Sequence, residues 1–320
     1  MEFRTMVYHV ILNANAGTAN AIGVTEDELE ALFSANGLEA TIDARSAVPM
    51  QERIDAAMAS AAEVIVAAGG DGTITALAAA LVGSDKGLAI LPLGTVNALA
   101  KDLKIPLELP EAVAALATGV SQRIDVGEVN GRVFLHKVVI GLIPGVAAAR
   151  EHIRGRRDAG AKIGFLRHFF RRLARARRIA VAMQTSDGAT RVERVQAVAV
   201  SNNAYDEGPG QFFSRQSLDR GTLTLYVLSH FTVFDFIRLT TGMLLGRWRH
   251  DQVLTVDSVT SVTITTRKPL IKVMFDGEVE MLETPLAFKT RPLALSVIVP
   301  AATDMLATAA IVEAAGGPTP

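Results

Sequence analysis

The chain reads as two consecutive domains. A three-layer α/β domain occupies residues 1–125, and an antiparallel β-sandwich occupies residues 126–300. Three observations predict this. Residues 7–125 alternate short apolar runs with helical patterns, as a parallel sheet flanked by helices requires. From about Ile124 the pattern turns to successive strands, rich in β-branched residues with a two-residue period. Two of the early apolar runs also break directly into glycine turns that open helices. This puts both turns at the carboxyl edge of the sheet, where open α/β sheets bind ligands.

Taken in order, Val7–Leu12 is a strand, Glu26–Asn36 a helix stopped near Gly37, and Ala40–Ile42 a strand. Met50–Ala62 is a helix, followed by the strand beginning Val64-Ile65-Val66 and a helix over Ile74–Leu81. Leu88–Ile90 is the next strand, with a helix starting near Ala98 and another over Glu111–Ala117. In the second domain the expected strands are Arg132–Val139, Ile179–Gln184, Val192–Ser201, Leu223–Leu228, Val253–Val256, Val259–Thr265 and Ile271–Phe275. Asp187-Gly188 is a hairpin turn between two of them. Phe231–Leu245, interrupted by Asp235 and Arg238, reads as an ordinary helix, and residues 301–320 as a tail.

The first glycine turn is Gly69-Gly70-Asp71-Gly72-Thr73. Glycines let the backbone approach a ligand closely, and the helix that follows offers free N–H groups suited to a phosphate. Asp71 would repel that phosphate unless it acts through a metal, a water or a sugar hydroxyl. The bland alternative is a tight strand-to-helix turn with a capping aspartate. The second turn, Leu91-Pro92-Leu93-Gly94-Thr95-Val96-Asn97, again combines a glycine with hydroxyl and amide groups at a helix start. Neither turn has the Gly-x-x-x-x-Gly-Lys of a P-loop or the Gly-x-Gly-x-x-Gly spacing.

These two turns, with the late Phe275-Asp276-Gly277-Glu278, resemble the diacylglycerol kinase catalytic domain family, which includes sphingosine and ceramide kinases and bacterial lipid kinases. NAD kinases share the Gly-Gly-Asp-Gly-Thr turn but lack the Leu-Pro-x-Gly-Thr-x-Asn segment. The resemblance spans roughly residues 6–300 and implies ATP- and Mg2+-dependent phosphorylation of a lipid hydroxyl, the nucleotide lying in the first domain and reaching the cleft between domains. It implies nucleotide contacts from Asn13, Asn15 and Gly17, and from Gly69, Gly70, Asp71, Gly72 and Thr73. Gly94, Thr95, Asn97 and Asp276 are implied beside them. Asp71 and Glu278 are the implied catalytic acids, Glu278 accepting the proton of the lipid hydroxyl. Read alone, Asp-Gly-Glu is a surface hairpin turn. The resemblance also implies that the last strand, about 293–300, returns to the first domain.

The pattern has departures. Ala98 stands where an acid is usual, and Arg220 where bacterial relatives place a magnesium-ligating aspartate. Ile140-Gly141-Leu142-Ile143-Pro144 replaces the usual Gly-Phe-Asp-Ala, so the metal ligands and the lipid stay open. A non-catalytic nucleotide- and lipid-binding protein of the same fold is one alternative, and a NAD kinase-like enzyme is another.

Composition excludes several other classes. There is no cysteine, hence no disulfide and no thiolate metal site. The six histidines show no ligand spacing, and no Gly-x-Ser-x-Gly elbow supports a hydrolase. No apolar run reaches the roughly 18–20 residues of a membrane span, so a cytoplasmic protein is expected. Net charge is −1, yet residues 150–178 hold eleven Lys or Arg against Glu151 and Asp158. That basic amphipathic insertion suits an anionic membrane surface, which would make the protein peripheral to the membrane; a docked helix with a solvated charged face is the alternative. No nucleic-acid motif accompanies it. A homodimer is compatible with the composition.

Overall fold

The computed structural model describes residues 6–13, 23–141, 171, 178–208, 214–248 and 251–301. The expected basic insertion at 150–178 and the tail from 302 therefore lie almost wholly outside the described residues. Two compact units emerge, one of residues 1–124 with 293–320, the other of residues 125–292.

The first unit is built on a parallel sheet. Its strands are β1 (Val7–Leu12), β2 (Glu39–Asp43), β3 (Val64–Gly69) and β4 (Gly87–Pro92), in the order β2-β1-β3-β4. The end of β16 (Leu286–Val299) extends it, Val297 pairing in parallel with Leu88. Every residue of β3 and β4 is buried, as expected of parallel strands covered on both faces. The helices are α1 (Glu26–Ala35), α2 (Met50–Ala59), α3 (Asp71–Leu81), α4 (Ala98–Asp102) and α5 (Leu109–Ala117). Helix α1 starts where Thr25 caps the Glu28 N–H at 3.2 Å and three acids line the first turn. It buries Leu29 and Phe33, four residues apart on one face.

A buried ion pair braces the carboxyl edge of this sheet. Arg53 of α2 donates to Asp43 Oδ1 at 3.1 Å and to the Leu12 carbonyl at 2.9 Å, and also bonds the Asp43 carbonyl. The Asp43 carboxyl falls to about 2: burial pushes it up, but the hydrogen bonds from Arg45 and the Arg53 charge outweigh that.

The second unit is an antiparallel β-sandwich. One sheet runs β12 (Leu254–Val259), β11 (Leu223–Leu228), β10 (Ala197–Asn202), β7 (Lys137–Gly141), β14 (Leu270–Phe275), β15 (Glu278–Glu283). The other pairs the start of β16 with β13 (Ser261–Thr266), then β8 (Ile179–Thr185) and β9 (Thr190–Val195). Strand β5 (Val120–Val129) pairs with β16 and with β6 (Arg132–Phe134). The inward faces enclose one core, in which Phe134 stands edge-on to Phe275 at 6.2 Å and Phe288 at 6.1 Å. Gly127 is required there, since a Cβ would lie 2.2 Å from the Phe134 ring. Helix α6 (Val233–Leu244) joins β11 to β12.

Two expected strands prove to be two each. Arg132–Val139 breaks after Phe134, because the N–H groups of residues 135–137 bond a side chain instead of a neighbouring strand. Val192–Ser201 breaks at Gln196, whose amide oxygen accepts from the Phe231 N–H. Met50–Ala62 is helical only to Ala59, where Ser60 turns extended.

Candidate active site

In the first unit the two glycine turns leave the adjacent strands β3 and β4 side by side. Their approach is so close that a Cβ on Gly94 would lie 2.7 Å from Gly70 Cα. Gly69 is similarly confined by the Thr73 side chain. Asn97 holds the second turn. Its backbone is left-handed (φ 51), its Oδ1 accepts from the Gly94 N–H at 2.9 Å, and its Nδ2 donates to the Gly94 carbonyl at 2.9 Å. Asparagine suits both demands, tolerating that conformation and offering donor and acceptor on one short arm.

Asp71 links the two turns. One carboxylate oxygen accepts from the Asn97 N–H at 3.1 Å and the other from the Ala98 N–H at 2.7 Å, so Asp71 caps α4 across the loops. Being in the first turn of α3, it also complements that helix dipole. Its side chain thus acts on backbone, and its remaining lone pairs are what a metal or water could use. Asn13, just past β1, donates to Thr73 Oγ1 at 2.9 Å and brings a third loop to the same edge. Gly72 and Thr95 are exposed there. Asn15 and Gly17 lie outside the described residues.

The second unit carries the other expected residues. Asp276 and Gly277 form the two-residue turn of the β14–β15 hairpin, both with positive φ (44 and 102) as a tight primed turn demands. The Asp276 carboxylate accepts three backbone N–H groups, from Leu135 at 2.7 Å and from His136 and Lys137 at 2.9 Å each. The dense protein around it pushes its pKa up, against the pull of those bonds and of Arg215. Arg215 holds the same loop by its carbonyls. Fully buried, it donates to Leu135 O at 2.7 Å and Asn202 O at 2.8 Å, and its guanidinium lies 2.8 Å from His136 Nδ1. Burial, with the Arg215 and Lys137 charges, drives the His136 pKa well down, so the ring is neutral and accepts the guanidinium N–H. Glu278, two residues beyond Asp276, opens β15 with its side chain exposed.

The Arg215 clamp was not legible in the sequence, where a lone arginine in a loop carries no signal. Arg220 also gains a partner, its guanidinium lying 3.5 Å from Asp206 while its N–H donates to Asn203 Oδ1 at 3.2 Å. Asp125, fully buried, accepts from the Gly221 N–H at 2.6 Å.

The profile described as "Diacylglycerol kinase catalytic domain" matches residues 7–129, the segment holding both glycine turns. The profile described as "YegS C-terminal NAD kinase beta sandwich-like domain" matches residues 142–299. The chain belongs to the diacylglycerol kinase catalytic domain family.

The chain is similar to several proteins and to a solved structure. A Bacillus subtilis protein named diacylglycerol kinase is 26% identical over 226 residues, 68% of this chain and 71% of that protein. A Pseudomonas aeruginosa protein named "Probable lipid kinase YegS-like" is 44% identical over 90 residues, 28% of this chain and 30% of that protein. The uncharacterized protein sll0036 of Synechocystis is 25% identical over 320 residues, covering 93% of this chain and 71% of that protein. A crystal structure of a diacylglycerol kinase from Bacillus anthracis superposes with a TM-score of 0.64 at 19% identity, covering 94% of this chain and 99% of that one, which shows the shared fold. No described helix of this family member is long and apolar enough to cross a membrane.

Proposed function

We propose that this kinase-family protein transfers the γ-phosphoryl group of ATP to a hydroxyl of diacylglycerol or a related lipid. The observation that carries the proposal is the pair of locked glycine turns, with Gly70 and Gly94 in contact and Asp71 tying them through the Asn97 and Ala98 N–H groups. Such a surface presents backbone rather than bulk at the start of α3, the form of a phosphate cradle. The exposed Thr95 and Gly72, with Asn13 beside Thr73, complete the edge on which the nucleotide would lie.

Magnesium would meet no ready-made cage. Among the described residues no three His, Asp, Glu or Cys side chains converge. That suits an ion carried chiefly by ATP phosphates, which typically needs only one or two carboxylates; Asp71 is the acid between the two glycine turns. Bound there, Mg2+ would neutralise charge developing on the phosphates. Glu278, exposed on a hairpin whose turn is pinned by Asp276, is the base that takes the hydroxyl proton.

The test uses purified protein, γ-labelled ATP, Mg2+ and a mixed lipid extract, with Glu278→Gln alongside. Labelled lipid with the wild type and none with the variant is the expected result. Equal labelling would remove Glu278 from the chemistry. ATP binding with no transfer would identify a non-catalytic protein of this fold.

A further inference from the structure

The clearest surface feature outside the site is the outer side of α6. Phe234 is 70% exposed, Ile237 55%, Leu244 56% and Leu245 65%. Phe234, Ile237, Thr241 and Leu244 follow the three- and four-residue spacing of a single helical stripe. This is not the face that holds the helix to the fold. Leu239 and Met243 pack on the other side, against Tyr205, Tyr226 and Trp248. The helix is thus apolar on both sides, and one side has no protein against it among the described residues.

The polar groups near that stripe are closed inward. Thr241 donates its hydroxyl to the Ile237 carbonyl at 2.8 Å, and Thr240 donates to the Phe236 carbonyl at 2.7 Å, so both hydroxyl protons are satisfied within the helix. Asp235, the one acid of the helix, is buried in the capping box with Thr232. Arg238 is paired with Asp235 and with Asp251, the latter at 2.6 Å. Just beyond the helix, Arg247 is exposed.

We infer that α6 is a membrane-docking helix that seats Phe234, Ile237, Leu244 and Leu245 in the interface of an anionic lipid bilayer, with Arg247 at the headgroup level. The inference deepens the lipid-kinase reading and rests on it for its purpose, though not for its geometry. An apolar stripe with a basic end is complementary to such a surface. A protein partner would be expected to make about one hydrogen bond per 100–200 Å² of interface, and this stripe has its hydroxyls already satisfied within the helix. Hydrocarbon asks for none.

The experiment is flotation of the full chain with vesicles of phosphatidylglycerol and phosphatidylethanolamine. The wild type is expected to float, and the triple variant Phe234→Ser, Ile237→Ser, Leu244→Ser to lose more than about tenfold in partitioning. These side chains are exposed, so the variant's melting temperature should stay that of the wild type. Separately, Phe234→Trp should show a blue-shifted emission only with vesicles, the buried Trp248 giving a constant background. Wild-type protein that fails to float, a triple variant that floats equally well, or an unshifted emission would each overturn the inference. So would a triple variant whose only change is dissociation of a dimer. Phosphorylation of a short-chain diacylglycerol dissolved as monomers should be unaffected in the triple variant. If the wild type phosphorylates no lipid but still floats through this stripe, the kinase reading falls and the docking helix stands.

Discussion

Replacing Gly94 by alanine tests whether contact between the two glycine turns makes the site. The new Cβ would lie 2.7 Å from Gly70 Cα and 2.8 Å from Asn97 Oδ1, where ordinary contact begins at 3.4 Å. Neither obstacle is a flexible chain end, for one is backbone and the other accepts the Gly94 N–H. The turns must therefore part by about 0.7 Å or the Asn97 bond must break. Overpacking costs about 1–3 kcal/mol, and a strained or lost hydrogen bond adds about 1 kcal/mol. The sum, about 2–4 kcal/mol, corresponds to a fall of about 5–15 °C in melting temperature for a unit of this size. Because a misplacement near 1 Å can cost about 100-fold in rate, phosphoryl transfer should fall at least about tenfold. Gly70→Ala is the internal control. Its Cβ meets Gly94 Cα at 3.4 Å, so it should cost about 1 kcal/mol. Calorimetry and the labelled-lipid assay read both variants. The reasoning fails if Gly94→Ala melts within 2 °C of the wild type, or if Gly70→Ala is equally damaging.

Asp276→Asn keeps the shape but offers one acceptor oxygen where the carboxylate serves three N–H groups with two; a loss of about 1–3 kcal/mol is expected by urea unfolding, and an unchanged midpoint would show that these bonds contribute little. The Asp43 pKa, depressed to about 2 from 3.8, makes its stabilisation fully present above pH 3.8 and lost as pH falls through about 2. The stability gap between wild type and Asp43→Asn should accordingly narrow by about 2 kcal/mol between pH 5 and pH 2, measured by urea midpoints. Arg53→Ala leaves Asp43 without its buried partner and should cost about 3–5 kcal/mol; a loss below 1 kcal/mol would mean solvent replaces the pair.

The α/β half was legible because its signals are local. Gly37 after Asn36 and the Val64-Ile65-Val66 run ending at Gly69 each specify their own element without reference to distant residues. The β-sandwich was legible in class, while two of its strands were read too long. The interruption at residues 135–136 depends on Asp276, far away in the chain, and the one at Gln196 on the passage of the chain from the sheet of β8 and β9 to that of β10 and β11; strand periodicity cannot report either. Helix α6 was readable as a helix, but not the outward direction of Phe234 and Ile237, since a helix apolar on two sides leaves open which side packs.

The sequence by itself determined the fold class, the family, and the glycine turns where backbone must approach closely, because glycine, proline and periodicity act over a few residues. Only the tertiary structure decided that Asp71 caps a helix in the neighbouring turn, that Asp276 binds the N–H groups of residues 135–137 while Arg215 binds the Leu135 carbonyl, and that β16 ends beside β4. A carboxylate can serve a metal, a cation or a backbone N–H. Which of them it meets is set by the packing of segments tens to more than a hundred residues apart.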